Sequence, residues 1–373
     1  MTEKRNLNNK EWADFCRRHF EIRALKKSQF QINYKKEELL KLCSAAISVF
    51  ESESALSEIA PPLTIVGDIH GQFKDLLRIL SAQNDKKVRK RPAFATKKFV
   101  FLGDYVDRGN RSLECIALVF VLKVLFPSLY VLLRGNHETK SVNCSFGFKD
   151  ELTTRLGSKD GLEVWEKFNE AFSWMPLACL IGKQILCMHG GISSSLTCFE
   201  DIRKIRRPMV DVTTDYLALD LVWADPLDYK SIESTDNYIL FLANSNRGLS
   251  CYFNESAVKD CCQQLDIQLI VRAHQMVEDG FKFYADRKMI TVFSAPKYMQ
   301  EYENKGAVLR VSENGGVSVV QIGRRLGPQT TPMESTPKRS EPSETPLKRT
   351  PSASIRPSSQ SSDKSEKKEK KTS

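Results

Sequence analysis

With 373 residues, 41% of them hydrophobic, the chain carries enough apolar side chain for one large core or two smaller ones. Its ten cysteines (16, 43, 115, 144, 179, 187, 198, 251, 261 and 262) form no CxxC pair, which argues against a disulfide framework or a thiolate zinc knot. Small buried thiols in a reducing compartment, cytoplasmic or nuclear, are expected instead. The formal charge of +10 comes without interleaved basic and aromatic residues, and the longest apolar run, 116–126, is broken by Lys123. That run falls short of the ~20 residues of a membrane helix, so neither nucleic acid nor membrane is an expected partner.

In chain order, residues 1–32 read as an N-terminal helical extension, too polar for a secretory leader, with His19 on its surface. Residues 33–323 hold a recurring pattern. LTIVGDIHG (63–71), KFVFLGDYVDRG (98–109), YVLLRGNHE (130–138), QILCMHGG (184–191) and IQLIVRAHQ (267–275) are each an aliphatic run stopped by a tight turn with polar side chains just beyond it. Such runs predict strands buried on both faces. FKDLLRILSAQ and SLECIALVFVLKVLF follow with helical periodicity, so the first strands read as βαβ units with neighbouring parallel strands. Their C-terminal ends would share one edge, where function is usually placed. The run KKVRKRPAFATKK (86–98) reads as a solvated loop between a helix and a strand, with a nuclear-import signal or an acidic partner's contact as the alternative. From Gly327 onward ten Lys/Arg stand against six Asp/Glu in a stretch rich in Ser, Thr and Pro, so 327–373 reads as a disordered basic tail.

Four of the five histidines, His70, His137, His189 and His274, fall at these strand ends beside Asp68, Asp104 and Asn136. Carboxylates, an amide oxygen and imidazoles suit divalent manganese, iron or zinc. Two such ions bridged by a short carboxylate lower the pKa of shared water and clamp a phosphoryl group, and nearby arginines match phosphate oxygens. The residues alone therefore point to phosphate-ester hydrolysis at a two-metal centre. Asp225, before Pro226, reads equally as a supporting residue or a turn starter; Gly67, Gly103 and Gly135 read as turn formers, and Glu138 as structural.

In this order GDIHG, GDYVDRG and GNHE resemble the three signature blocks of the metallophosphoesterase superfamily. LLRGNHE, HGG, RAHQ and SAPKY narrow the resemblance to the phosphoprotein phosphatases acting on Ser and Thr, and RAHQMVEDG and GDYVDRGNRSLE look closest to the type-1 catalytic subunit. The resemblance implies a calcineurin-like α/β fold, a sandwich of mixed β-sheets flanked by helices with the dimetal site at the strand ends. It makes Asp68 and His70 ligands of a first metal, Asp104 the bridge, and Asn136, His189 and His274 ligands of a second. It makes Arg108, Arg247, Asn136 and Tyr298 the contacts to the substrate phosphate. His137 becomes the general acid for the departing oxygen after in-line attack by a metal-activated hydroxide, with Asp107 orienting its imidazole.

Departures from the type-1 pattern are local. Lys297-Tyr298-Met299-Gln300 replaces the usual residues after SAP, Cys144 and Phe146 replace an Arg and a Tyr, and Asn246 replaces an acid. With Lys282 in the segment 278–283, these changes imply a weaker acidic groove. Regulatory subunits would dock short apolar motifs on a groove at Ile185, Leu269, Phe281 and Phe283, with the strand 316–323 contributing. The tail's Thr-Pro sites, Thr331, Thr336, Thr345 and Thr350, are candidate sites for proline-directed kinases, and type-1 enzymes carry a similar inhibitory site. The expected activity is hydrolysis of phosphoserine and phosphothreonine in proteins. A phosphoesterase for nucleotides or small molecules and a non-catalytic docking protein are the alternatives.

Overall fold

The aliphatic runs fold as short strands in which nearly every residue is buried, including all of LTIV, YVL, ILCM and LIVR. Their side chains must therefore find apolar partners on both faces. A computed structural model describes residues 2–22, 31–81, 93–227, 240–322 and 330–332. Its strands are β1 (Leu56–Ile59), β2 (Leu63–Val66), β3 (Lys98–Phe101), β4 (Tyr130–Leu132), β5 (Ala178–Ile181), β6 (Ile185–Met188), β7 (Asp225–Pro226), β8 (Phe241–Ala243), β9 (Cys251–Phe253), β10 (Leu269–Arg272), β11 (Phe281–Tyr284), β12 (Met289–Val292), β13 (Gly306–Val311), β14 (Val317–Ile322) and β15 (Thr330–Pro332).

Two six-stranded mixed sheets result, in the orders β1-β5-β6-β10-β12-β11 and β15-β14-β13-β2-β3-β4, with a small third sheet β7-β9-β8. As the βαβ reading predicts, β2, β3 and β4 are parallel neighbours, with Ile65 opposite Val100 and Val100 opposite Val131. The other two runs, β6 and β10, also pair in parallel, but in the other sheet. The functional edge is thus shared between two sheets.

Ile65, Val100, Leu133, Cys187, Val271 and Ile290 belong to one core between the sheets. A second core, with Phe50, Phe73, Phe101 and Phe120, lies under the helices Lys36–Glu51, Phe73–Ser81 and Ser112–Leu125. A third, with Met188, Leu221, Phe253 and Met289, covers the opposite sheet. The architecture is the α/β sandwich flanked by helices that the motifs imply. Among the described residues no helix is long and apolar enough to cross a membrane.

Two expectations need correction. His19, expected on a surface, is fully buried: its Nδ1–H donates to Phe15 O at 3.0 Å and its Nε2 accepts from Tyr34 Oη at 2.8 Å. The helix Thr2–Glu21 thereby packs Trp12, Phe15 and Cys16 into the helical core rather than hanging off it. The expected tail also begins differently, because residues 330–332 pair antiparallel with β14, Thr331 opposite Val319. The rest of 327–373, with Thr336, Thr345 and Thr350, lies outside the described residues, as does most of the basic run 86–98. In the N-x-S triplets Asn143-Cys144-Ser145 and Asn254-Glu255-Ser256 both asparagines are buried in hydrogen bonds: Asn143 donates to His137 O at 3.1 Å and Asn254 caps a helix at Ala257 N, 2.8 Å.

Candidate active site

Asp68, Asp104, Asn136, His189 and His274 each follow the end of β2, β3, β4, β6 and β10 within four residues. This delivers their side chains to the common end of the two sheets. Five residues there hold left-handed backbones that non-glycine residues seldom adopt: His70 (φ 44°), Asp104 (55°), Asp107 (69°), Arg108 (65°) and His274 (65°). Clustered strain of this kind persists only where the surroundings over-determine it, and it gathers at functional sites. The constraints are visible. Asp104 O accepts from both Ile69 N (3.0 Å) and His70 N (2.9 Å). Asp104 N donates to Glu138 Oε2 (2.8 Å), His137 N to Asp104 Oδ1 (3.0 Å) and His274 N to Asp68 Oδ1 (3.1 Å). Glu138 is thus structural, as expected, since it also accepts from Tyr105 N (2.9 Å) and Gly135 N (3.0 Å).

Gly135 differs from its sequence reading. Its φ of −92° is ordinary, but a Cβ there would lie 2.2 Å from Asp104 Oδ1 and 2.4 Å from Asp104 N. It is glycine so that the Asp104 carboxylate can lie against the chain. Gly103, with φ at 114°, does need glycine's backbone freedom.

The donor set fits divalent cations. His70 and His189 give their Nδ1–H to the carbonyls of Val106 and Leu102, both at 3.0 Å, which leaves Nε2 facing inward. His70 Nε2 lies 3.4 Å from Asp104 Oδ2 and 3.7 Å from Asp68 Oδ2. On the other side His189 Nε2 lies 3.4 Å from the same Asp104 oxygen, 2.9 Å from Asn136 Oδ1 and 3.1 Å from His274 Nδ1. Asp104 therefore belongs to two clusters, one with His70 and His137, one with His189 and His274. Rotating the Asn136 amide would let its nitrogen donate to both rings and to Asp104, at 2.9–3.3 Å, but the oxygen-inward orientation is the one a cation needs.

Protonation follows the same field. Burial drives His70 down to about 3 and His274 well below the ordinary imidazole value, so both are neutral, the form able to ligate a cation. Burial opposes charge on Asp104, yet His189, His137 and His70 outweigh it and hold its carboxyl well below the usual range. Burial, with Asp104 beside it, pushes Asp68 up to about 7. Two carboxylates this close call for positive charge between them.

Next to the ligands, His137 Nδ1–H donates to Asp107 Oδ2 at 2.7 Å. Burial disfavours its protonation, but Asp104 and Asp107 more than compensate and raise its pKa. Asp107 is held in turn by Phe148 N, which donates to Oδ1 at 2.8 Å. Arg108 is exposed, with its guanidinium 4.1 Å above the Phe146 ring, which also meets His137 edge-on at 5.5 Å. Arg247 reaches the opposite side, its Nε donating to Asp225 Oδ2 at 2.9 Å. Asp225 is thereby resolved as a supporting residue: its other oxygen accepts from the buried Arg272 at 3.0 Å. Tyr298 packs over His70 at 5.1 Å and on Phe293 at 5.1 Å, in a loop tied down by Asn304, whose Oδ1 accepts from Tyr298 N at 2.9 Å.

A cleft of about 1170 Å³ is lined by Asp68, His70, Asp104, Asn136, His137 and His274, with Arg108, Arg247 and Tyr298 at its walls. His189 and Asp107 stand behind it, buried. All the residues expected at the site are thus brought together. Sequence reasoning missed Arg272, the Phe146 shelf and Trp223, edge-on to His274 at 5.5 Å. An arginine ending an aliphatic strand, as in LIVR, was a usable signal for the first. The groove residues Ile185 and Leu269 are register partners buried between the sheets, whereas Phe281 and Phe283 are half-buried at that core's edge, with ring centroids 5.9 Å apart.

Two carboxylates, one shared by two sets of imidazoles, with guanidinium groups on either side, define a metal-dependent phosphoesterase site. Residues 61–278 match the family of calcineurin-like phosphoesterases. The chain is 42% identical over 279 residues to the serine/threonine-protein phosphatase PP1-delta of Caenorhabditis elegans, covering 74% of this chain and 84% of that protein. Among solved structures, a serine/threonine phosphatase from Saccharomyces cerevisiae similar to human PP5 superposes with a TM-score of 0.66 at 27% identity, over 79% of this chain and 93% of the other. A cold-active protein tyrosine phosphatase, at a TM-score of 0.50 and 18% identity over 74% of this chain and 79% of its own, shares the fold. The chain belongs to the calcineurin-like phosphoesterases, and within them to the serine/threonine-protein phosphatases.

Proposed function

We propose that this protein hydrolyses phosphoserine and phosphothreonine in proteins, with two divalent ions, manganese first and iron or zinc as alternatives. The observation that carries this reading is the Asp104 carboxylate common to two donor clusters, with Arg108 and Arg247 flanking the same cleft. Asp68, His70 and Asp104 would hold one ion, and Asp104, Asn136, His189 and His274 the other. When bound, such ions supply Lewis acidity that activates water and withdraws charge from phosphoryl oxygens.

The chain's own groups do the rest. Arg108 and Arg247 present guanidinium forks to the phosphoryl oxygens, and their charge persists through the reaction. Stacking on Phe146 and the Asp225 bond limit the rotamers each must give up. Tyr298 closes the wall beside His70, and its hydroxyl is a neutral donor because burial raises its pKa. His137 donates a proton to the serine or threonine oxygen as it leaves, and Asp107, accepting from Nδ1–H, orients the ring and stabilises the imidazolium that holds the transferable proton on Nε2. Short apolar segments of regulatory subunits dock at the edge of the inter-sheet core, at Phe281 and Phe283, with Ile185 and Leu269 beneath. The enzyme works in the cytoplasm or nucleus.

The test is phosphate release from a phosphothreonine peptide by metal-stripped protein, with and without Mn²⁺, beside Asp104→Asn. Mn²⁺-dependent turnover that the substitution abolishes is expected. A folded, metal-loaded protein that releases no phosphate from the peptide refutes the reading, and turnover of a nucleotide ester alone would make it a small-molecule phosphoesterase.

A further inference from the structure

Beside the metal cleft lies a second cavity of about 720 Å³, and His70, Arg108, Tyr298 and Met299 line both. A chain whose phosphate sits at Arg108 has both cavities open to its neighbouring residues. The second cavity is strongly basic: Lys74, Arg78, Arg108, Arg111, Lys297 and Lys305 line it, against Asp75 and Glu303. Both acids are already engaged, Asp75 with Arg78 at 2.7 Å and Glu303 with Lys297 at 2.7 Å. Lys305 reaches out to Asp279 at 2.8 Å, an exposed pair that water screens. Arg108 and Arg111 make no ion pair among the described residues, and Arg111 precedes the helix Ser112–Leu125 without capping it by its side chain.

The walls are also held in place. Gln72 Nε2 donates to Pro296 O at 2.8 Å and ties the helix Phe73–Ser81 to the 297–305 loop, so the cations converge from three fixed segments. A groove with this excess of positive charge next to low-dielectric walls concentrates anions.

We infer that this groove takes an acidic residue or a second phosphate flanking the scissile phosphoserine or phosphothreonine, so the substrates are acidic or multiply phosphorylated protein segments. The inference rests on the proposed phosphatase activity and adds its substrate class. The protein's own unmodified tail, with ten Lys/Arg against six Asp/Glu from Gly327 on, has the wrong charge for it.

The test is kcat/KM for a series of fluorescent phosphothreonine peptides with alanine, glutamate, arginine or phosphoserine neighbours on either side. The full-length Mn²⁺-loaded protein is compared with its Arg111→Gln/Lys305→Gln variant. Glutamate- or phosphoserine-flanked peptides should exceed the alanine peptide by about tenfold in the native protein, falling with added salt, as screened charge requires. In the variant the ratio should drop to about twofold or less while the alanine peptide is turned over as before. Equal rates for acidic and neutral peptides, or the same preference in the variant, overturn the inference. If no peptide is hydrolysed, the phosphatase reading fails by itself. Fluorescence anisotropy with the same peptides then decides the groove: selective binding lost in the variant upholds it, and unselective binding overturns it.

Discussion

Asp225→Asn perturbs a residue outside both candidate donor clusters, its Oδ1 4.0 Å from His274 Nε2, that organises one side of the site. The substitution keeps the size of the side chain and removes its charge. In the native chain Asp225 is buried, accepting from Arg247 Nε at 2.9 Å, Asn244 Nδ2 at 3.1 Å and Arg272 at 3.0 Å. With asparagine, one carbonyl oxygen must serve three donors, and an NH₂ group faces a guanidinium. Breaking a buried ion pair from one side costs about 3–5 kcal/mol. Arg272 retains carbonyl acceptors at Gly190 and Ala224, so the lower end applies, about 3 kcal/mol, or a fall in Tm of roughly 6 °C. Arg247 loses its charged partner and keeps only its 3.4 Å contact to His274 O. A charge-assisted hydrogen bond is worth about 1.5–3 kcal/mol, so kcat/KM on a phosphopeptide should fall about 10- to 100-fold. The assay is a double-mutant cycle: Asp225→Asn, Arg247→Ala and both, by steady-state kinetics and thermal unfolding. In the Arg247→Ala background the kinetic effect of Asp225→Asn should nearly vanish while the stability loss through Arg272 persists. Equal kinetic losses in both backgrounds would refute the claim that Asp225 acts through Arg247.

Two further outcomes follow from named contacts. Gly135→Ala places a Cβ 2.2 Å from Asp104 Oδ1 and must displace the shared carboxylate, so bound metal by mass spectrometry should fall below two ions per chain. Its stability should drop by about 1–3 kcal/mol; full metal content would mean that Asp104 has slack the packing does not suggest. The second concerns pH. Burial pushes His19 down to about 3 from 6.5. Between those values the unfolded chain binds a proton that the folded chain refuses, so stability falls as pH drops through about 6.5, by about 1.4 kcal/mol per unit. From pH 7 to pH 5, urea midpoints should give a loss of about 2 kcal/mol for the native chain that His19→Gln lacks, and parallel losses would count against it.

What was legible in the sequence is what depends on neighbours in the chain. Each candidate metal ligand follows an aliphatic run within a few residues, so strand, turn and candidate ligand are read together, and the order of β2, β3 and β4 comes from the same local units. What was not legible depends on partners far along the chain. FCRRHFEIR looks like a surface helix because its charges are local. His19 is buried by Tyr34 and Phe73, which lie on other elements. Asp225 reads equally as a supporting residue or a turn starter until Arg272 arrives 47 residues later, and Gly135 reads as a turn former until Asp104, just past the preceding strand, is seen to press on it.

The basic groove shows the same divide at the level of function. Its cations come from a helix, a loop and a second loop widely separated in the sequence, and none of these segments is conspicuously basic alone. Reading Asn246 and Lys282 near the phosphate arginine suggested only that an acidic groove had weakened. The fold places a groove lined by Arg111, Lys74 and Lys305 on the other side of Arg108. Each candidate metal donor sits just past the end of its own strand, so a local motif encodes its placement even though the donors meet from two sheets. Substrate preference needs only a summed field over several ångströms, which many arrangements of scattered residues can supply. For that reason the chemistry of this chain can be read from its motifs, whereas the choice of phosphoprotein has to be read from its folded surface.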